Sequence, residues 1–545
     1  MKFVGVPIKR LEDPRLLVGG GRFVDDVVRP GMVHAVFVRS PHAHARVRRV
    51  DVRRALALPG VLACVTGAEL AGVPTIPLRQ GARPEHAAFL QPPLARETVR
   101  YAGEPVAVVI AGDRATAVDA RELVEIDYEV LSALVDPADA DRPGGPVLFT
   151  GGNVVDSWTT ALGDADAALR EAACVVRERF AVGRQTAAPM ETRGLVAEWD
   201  RAAGRLTVWG TTKVPYFNRQ TLGTMLGLDE ARIHFVESDA GGGFGARGEF
   251  YPEDFLVPYL ARRLERPVKW VEDRREHFLT INHSREQQWS VAAAADARGK
   301  LLALDATLVN VLGGYLRTHG VWAARLTASY LAGPYRWPSY RCRVSCVMTN
   351  KTPTGTVRAP GFYEGTFVRE RIVDLLAARL GLDPAEIRRR NLHGPKDLPF
   401  TVSTVASAVT GREADFTGED FPEMFEQALK AGQYEARVAA CRERNAAGGD
   451  VRFGVGLAAV VETSGTGPFE SARATLTPEG TIALATGATA LGQGLPTTLA
   501  QVCAEVLQGQ PAASTVHLGA TRWMPQGVGS SDSRSARVSG GGGPR

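Results

Sequence analysis

The run Asp239-Ala240-Gly241-Gly242-Gly243-Phe244-Gly245-Ala246-Arg247 sets four glycines around one aromatic residue. Backbone without side chains lets a large anionic ligand lie directly against peptide N–H groups. A glycine-rich turn that binds nothing is the ordinary alternative. Three later segments have related chemistry: residues 349–361, which contain Arg358; Gly492-Gln493-Gly494; and residues 527–535, which end in Ser533-Arg534-Ser535. Taken singly, Gln493 also reads as a turn residue and Arg358 as one half of an exposed ion pair.

These residues need elements to position them. Residues 231–237 have the composition of a strand, so the glycines fall where a strand gives way to a loop. Strands are expected at 32–38, 61–66, 106–111, 125–130, 206–210, 302–311 and 340–347, and helices at 115–124, 253–264, 365–380, 421–431 and 496–507. Gly381 follows the 365–380 helix as a terminator. Residues 136–153 hold several prolines and glycines and read as a linker, 401–418 as a polar loop, and Thr477-Pro478-Glu479-Gly480 as the turn of a hairpin. Residues 454–462 belong to the last region.

The chain has 545 residues, enough for several domains, with 64 Lys and Arg against 60 Asp and Glu. The basic residues are scattered, which argues against a nucleic-acid track. No apolar run suits a bilayer span or a secretory signal, so no membrane span is expected and a cytoplasmic location is. Six dispersed cysteines are too few for a disulfide framework. Cys342 and Cys346 are placed on one face of a strand as small core residues, and no iron–sulfur or dinucleotide fingerprint is present. His42 and His44 share a strand face, but two ligands do not make a metal site.

In this order and at these separations, the four segments resemble the molybdopterin-binding large subunit of the xanthine dehydrogenase and aldehyde oxidase family, which includes the aerobic carbon monoxide dehydrogenases. Residues 10–17, 34–45, 266–270 and 388–392 extend the resemblance over nearly the whole chain. It implies an α/β (α+β) fold: an a/b hammerhead-like domain at 1–135, the linker 136–153, a first molybdopterin-binding domain at 154–400 and a second, incomplete one at 415–545. It also implies a catalytic subunit that hydroxylates an aldehyde or a heteroaromatic C–H with oxygen from water.

The cofactor implied is molybdopterin, plain or as the cytosine dinucleotide, with no protein side chain on the metal and no iron–sulfur cluster, FAD or copper in this chain. By the same resemblance, Gly242, Gly243, Phe244 and Gly245 approach the metal end, and Arg358 and Ala359 lie beside it. Gly492, Gln493 and Gly494 meet the pterin, with the Gln493 amide as a donor. Ser533, Arg534 and Ser535 line the cofactor tail, where hydroxyls and a guanidinium suit phosphate. Phe244 and Phe362 wall the substrate pocket. Glu191 is read as structural, with Arg193 as its local partner. The expected partners are an iron–sulfur small subunit and an FAD-binding medium subunit, in a dimer of heterotrimers.

Four departures narrow the reading. Lys213 stands where many members carry a glutamine that touches the cofactor. Ala359 stands where carbon monoxide dehydrogenases carry a copper-bridging cysteine. Gly248 stands at the xanthine-type acidic contact, with Glu249 one place on. The Gly-x-Gly-Glu motif that carries the general base is expected beyond Arg545, and the chain is expected to be a fragment. The alternative is a cofactor-binding or subunit-docking protein without turnover.

Overall fold

The computed structural model describes residues 2–398, 400–401, 415–416, 418–465, 467 and 469–540. Its largest sheet has seven strands in the order Ile233–Val236, Arg205–Gly210, Gly194–Asp200, Val268–Val271, Val33–Arg39, Pro105–Ala111, Val61–Thr66. Strands from both sides of the expected linker join it: Val33 pairs with Val268 in parallel, and Val33–Arg39 runs antiparallel to Pro105–Ala111. The latter is an unbroken apolar run buried along its whole length, as a strand covered on both faces must be. Helix Pro252–Leu264 covers this sheet with Phe255, Leu256 and Leu260, all fully buried. Helix Arg114–Glu122 starts where Asp113 accepts a 2.9 Å bond from the Thr116 amide.

A second sheet of five strands takes the order Val154–Leu162, Ser339–Met348, Leu301–Gly313, Gln287–Ala295, Cys174–Val182. Leu301–Gly313 and Ser339–Met348 are parallel, and the crossover between them contains helix Trp322–Tyr330. Helix Phe362–Leu380 packs on this sheet and ends at Gly381, whose φ of 68° supplies the left-handed turn. Cys342 and Cys346 are both wholly buried core residues of Ser339–Met348. A third sheet joins the hairpin Ala472–Leu476 and Ile482–Thr486 to Ser514–Leu518, with helix Leu495–Leu507 on top. No helix among the described residues is long and apolar enough to cross a membrane.

Three features go beyond the sequence reading. Helix Tyr434–Ala446 was not anticipated; it buries no residue completely, so its pattern has no sharp apolar stripe. Residues 454–462 run alongside helix Phe362–Leu380, whose buried Arg369 donates to the Ala459 carbonyl. Residues 136–153 are more than a spacer, because Leu148, Phe149 and Asn153 are buried. The Asn153 amide donates to the carbonyls of Ala140 and Pro146, and the Phe149 ring meets those of Phe89 and Tyr315. Proline and glycine spacing showed the turns but not these anchors. The expected loop 401–418 lies mostly outside the described residues.

Glu104 joins the two larger sheets. It is fully buried, accepts from the Arg100 amide at 2.6 Å and from the Tyr315 hydroxyl at 2.7 Å, and burial pushes its carboxyl up to about 7. A carboxyl raised in the fold contributes stability that is full below its unfolded value and is lost as pH rises through about 7. A shift of this size is worth on the order of 3 kcal/mol. Denaturant titrations across this window should therefore show the parent weakening with rising pH and Glu104→Gln showing a flatter profile. Equal slopes for both would remove Glu104 as the cause.

Candidate functional site

The loop after Ile233–Val236 is held by its own neighbours. The Arg247 guanidinium donates to the Gly242 carbonyl at 2.7 Å and to the Glu191 carboxylate at 2.9 Å, and that carboxylate also accepts the Gly241 amide at 2.9 Å. Asp239 is paired with Arg15 at 2.7 Å, which ties the N-terminal segment to the loop. Glu191 is thus structural as expected, but its partner is Arg247. Arg193 instead lies between Glu253 at 3.1 Å and Glu272 at 2.5 Å, because its side chain turns into the core beneath the Tyr251 ring.

Fixed in this way, the loop leaves the successive amides of Gly242, Gly243, Phe244 and Gly245 without an acceptor among the described residues. Gly245 has φ of 103°, and a Cβ there would stand 2.5 Å from the Thr356 carbonyl oxygen. Gly242 leaves room for the Phe244 ring, 2.8 Å from where its Cβ would be. Only glycine fits these two positions without displacement. Phe244 itself is held at φ 51° and its side chain stays half-exposed.

The second segment meets the first directly: the Arg358 amide donates to the Phe244 carbonyl at 2.9 Å. Buried Arg285 anchors it from behind, donating to the carbonyls of Arg358 and Ala359 and pairing with Glu364 at 3.3 Å. Ala359 is held at φ 53°. Gly529 and Ser530 fasten the segment 527–535, with the Ser530 amide 2.9 Å from the Lys213 carbonyl. Beyond them Asp532 and Ser533 take φ of 49° and 51°. Left-handed non-glycine residues cost energy and persist where the surroundings over-determine them. Phe244, Ala359, Asp532 and Ser533 all line the same space.

That space is a cavity of about 1310 Å³. Gly242, Gly243, Phe244, Gly245, Arg358, Ala359, Phe362, Gly492, Gln493, Ser533, Arg534 and Ser535 all contribute to its lining. Gly494 does not; it sits at φ 77° as the residue that starts helix Leu495–Leu507. Two side chains are used otherwise than the resemblance implied. The Gln493 amide donates to the Thr489 carbonyl at 3.0 Å and its oxygen accepts the Leu491 amide at 2.5 Å, which closes its own turn. The Arg534 guanidinium is buried and paired with Glu470 at 2.6 Å, and it donates to the Gly529 and Phe469 carbonyls, so it shapes the loop around the cavity.

Several lining residues carried no local signal. Arg79 and Gln80 come from the N-terminal region, His319, Trp322 and Tyr330 from the crossover of the second sheet, and Glu462 from the extended segment. Tyr330 and Phe362 pack at 4.5 Å between ring centroids. Burial, aided by Asp532, raises the Glu462 carboxyl above its ordinary range. Lys213 also lines the cavity, and burial followed by the charge of Arg79 lowers its ammonium to about 8. His44 has its Nδ1 2.7 Å from the Ser132 carbonyl and His42 packs on Tyr128, so both are engaged within the N-terminal region.

The residues fit an extended anionic cofactor. Unpaired amides line one side, hydroxyls another, and the buried Nε of Arg79 and Oε1 of Gln80 are without partners among the described residues. Among the described residues no group of three or more His, Cys, Asp or Glu is arranged to hold a metal ion directly.

Comparison with known proteins agrees. Family models for the molybdopterin cofactor-binding domain match residues 149–392 and 427–542, and one for the aldehyde oxidase and xanthine dehydrogenase a/b hammerhead domain matches 18–132. The chain is 37% identical to the 6-hydroxypseudooxynicotine dehydrogenase complex subunit gamma of Paenarthrobacter nicotinovorans, over 99% of this chain and 68% of that one. It is 34% identical to the nicotine 6-hydroxylase large subunit of the same organism, over 99% and 66%. The crystal structure of quinoline 2-oxidoreductase from Pseudomonas putida 86 superposes with a TM-score of 0.89 at 33% identity, covering 98% of this chain and 68% of that one. The chain therefore spans about two thirds of the length of these relatives. It belongs to the molybdopterin-binding large subunits of the xanthine dehydrogenase family of molybdenum-dependent oxidoreductases.

Proposed function

We propose that the chain is the cofactor-holding part of a hydroxylase that acts on an electron-poor nitrogen heteroaromatic, with electrons leaving through separate iron–sulfur and FAD subunits. The observation that carries this reading is the large cavity that the unpaired amides of Gly242 to Gly245 share with the strained backbone of Ala359, Asp532 and Ser533. When bound, a molybdenum–pterin cofactor supplies a two-electron redox centre at which a substrate C–H is exchanged for C–O with oxygen from water.

The chain's own residues bind and orient. The bare amides take anionic oxygens of the cofactor, and the Ser533 and Ser535 hydroxyls flank them. Phe244 stands with Phe362 and Tyr330 among the walls, flat surfaces suited to a planar ring. The raised carboxyl of Glu462 offers a hydrogen-bonding partner to a ring nitrogen, and Arg358 offers a cationic one to the oxygen placed on the ring. The relatives described above, named for nicotine, a pseudooxynicotine and quinoline, support the heteroaromatic choice over an aldehyde.

Turnover in isotopically heavy water tests the reading. The complex purified with its partner subunits should place heavy oxygen into pyridine- or quinoline-type substrates. Because the methyl of Ala359 cannot ligate a soft metal, the same preparation should contain no copper in step with molybdenum and show no carbon monoxide-dependent dye reduction. Oxidation of aldehydes alone, or copper matching molybdenum, would contradict the assignment.

A further inference from the structure

Two cations without a carboxylate partner among the described residues meet in the buried wall of the cavity. Arg79 comes from the N-terminal region and Lys213 from the turn between strand Arg205–Gly210 and helix Pro215–Leu226, and both line the cavity. Arg79 donates a hydrogen bond from one guanidinium N–H to Nε2 of His319, whose Nδ1 lies 2.5 Å from Glu249. Since Nε2 accepts, the ring proton sits on Nδ1 and His319 is neutral. Burial, reinforced by Arg79, accordingly holds its pKa below the ordinary value. The relay orients Arg79 without cancelling its charge, and the Arg79 Nε is buried with no partner.

The Lys213 side chain runs along Gly248, where any Cβ would collide with Lys213 Cε. Glycine at 248 is the space this lysine needs, so two departures from the family pattern are one structural feature. Among the described residues Lys213 Nζ makes no hydrogen bond or ion pair. The carboxylates that face it are Glu249 and Asp532. Glu249 already accepts from Thr318, His319 and the Thr356 amide, and Asp532 forms no ion pair with either cation. Buried cations without counter-ions are costly, and a ligand that brings an anion removes the cost.

We propose that Lys213 and Arg79 form an oxyanion subsite in the cavity wall, which takes an anionic oxygen of the molecule bound there. An oxide or phosphate oxygen of a cofactor and a carboxylate of an organic ligand share this chemistry. The subsite rests on the geometry of the chain itself and stands whatever substrate is turned over.

Calorimetric titration of the purified, cofactor-free full chain with molybdate, and separately with benzoate, tests it. At least one probe should bind, and Lys213→Met and Arg79→Met should each weaken that binding about tenfold to a hundredfold. Lys213→Gln, which keeps donors but not the charge, should fall between. Binding to the parent should also fade as pH rises through about 8 and Lys213, which faces Arg79, Glu249 and Asp532, loses its charge, and Lys213→Met should lose that dependence. Preference for molybdate would identify a cofactor oxygen as the natural ligand, and preference for benzoate an organic carboxylate. Lys213→Met should melt no lower than the parent, since it removes a desolvated, unpaired charge. No binding of either probe, affinity unchanged in both variants, or a lowered melting point that reveals an internal partner for Lys213 would each overturn the proposal.

Discussion

Gly245→Ala is expected to cost the chain most of its molybdenum. The new methyl group would stand 2.5 Å from the Thr356 carbonyl oxygen at a φ of 103°, so the loop must move or strain. Strain at such a position is typically about 1–3 kcal/mol, and if it falls on the bound conformation it lowers cofactor retention by roughly ten- to a hundredfold. The loop carries the unpaired amides and also accepts the Arg358 amide through Phe244, so one displacement disturbs two of the cofactor-facing segments. Gly227→Ala is the control: Gly227 ends helix Pro215–Leu226 at φ 63° with nothing within 4 Å of its Cβ position and does not line the cavity. It should lose some stability yet keep its metal. Molybdenum per chain in the two purified variants decides the matter, and a Gly245→Ala protein with a full complement would refute the role given to this loop.

Arg193→Met is expected to give the largest loss of folding stability. Burial alone would raise Glu272, yet Arg193 and the His277 hydrogen bond hold it far below the ordinary carboxylate range, and Arg193 and Arg39 do the same more weakly for Glu253. Removing the guanidinium leaves both carboxylates buried with much of their compensation gone, and breaking a buried pair in this way costs about 3–5 kcal/mol. The Tyr251 ring also loses the cation stacked 3.9 Å from its centre. Equilibrium denaturation of parent and variant gives the difference directly. A loss below about 1 kcal/mol would mean that the network is no stronger than a surface pair. Arg193 is close in sequence to Glu191, so the same variant should also loosen the glycine loop and reduce metal content.

Much of the fold was legible because its signals are local. Apolar runs marked the buried strand Pro105–Ala111, Gly381 marked the end of helix Phe362–Leu380, and alternation placed Cys342 and Cys346 on one buried face. The glycine motifs were legible for the same reason, since a positive φ is a property of one residue and its neighbours. The roles of Gln493 and Arg534 were less so. Both line the cavity, but which groups their polar atoms reach depends on Thr489 and Glu470, whose positions no motif encodes.

The sequence by itself determined much of the order of elements and the backbone at the glycine loops, which follow from residue type and short-range spacing, and its motifs in their order carried the resemblance to the family. Only the tertiary structure decided that Arg79, Lys213, Glu249 and His319 meet at one wall, that Glu191 pairs with Arg247 while Arg193 turns inward, and that Gly248 is empty so that a lysine can pass. Such pairings join residues far apart in the chain and have no period to read. They are set by which side chains the packed sheets bring within a few ångströms of one another, and by the cost of leaving a buried charge or polar atom without a partner.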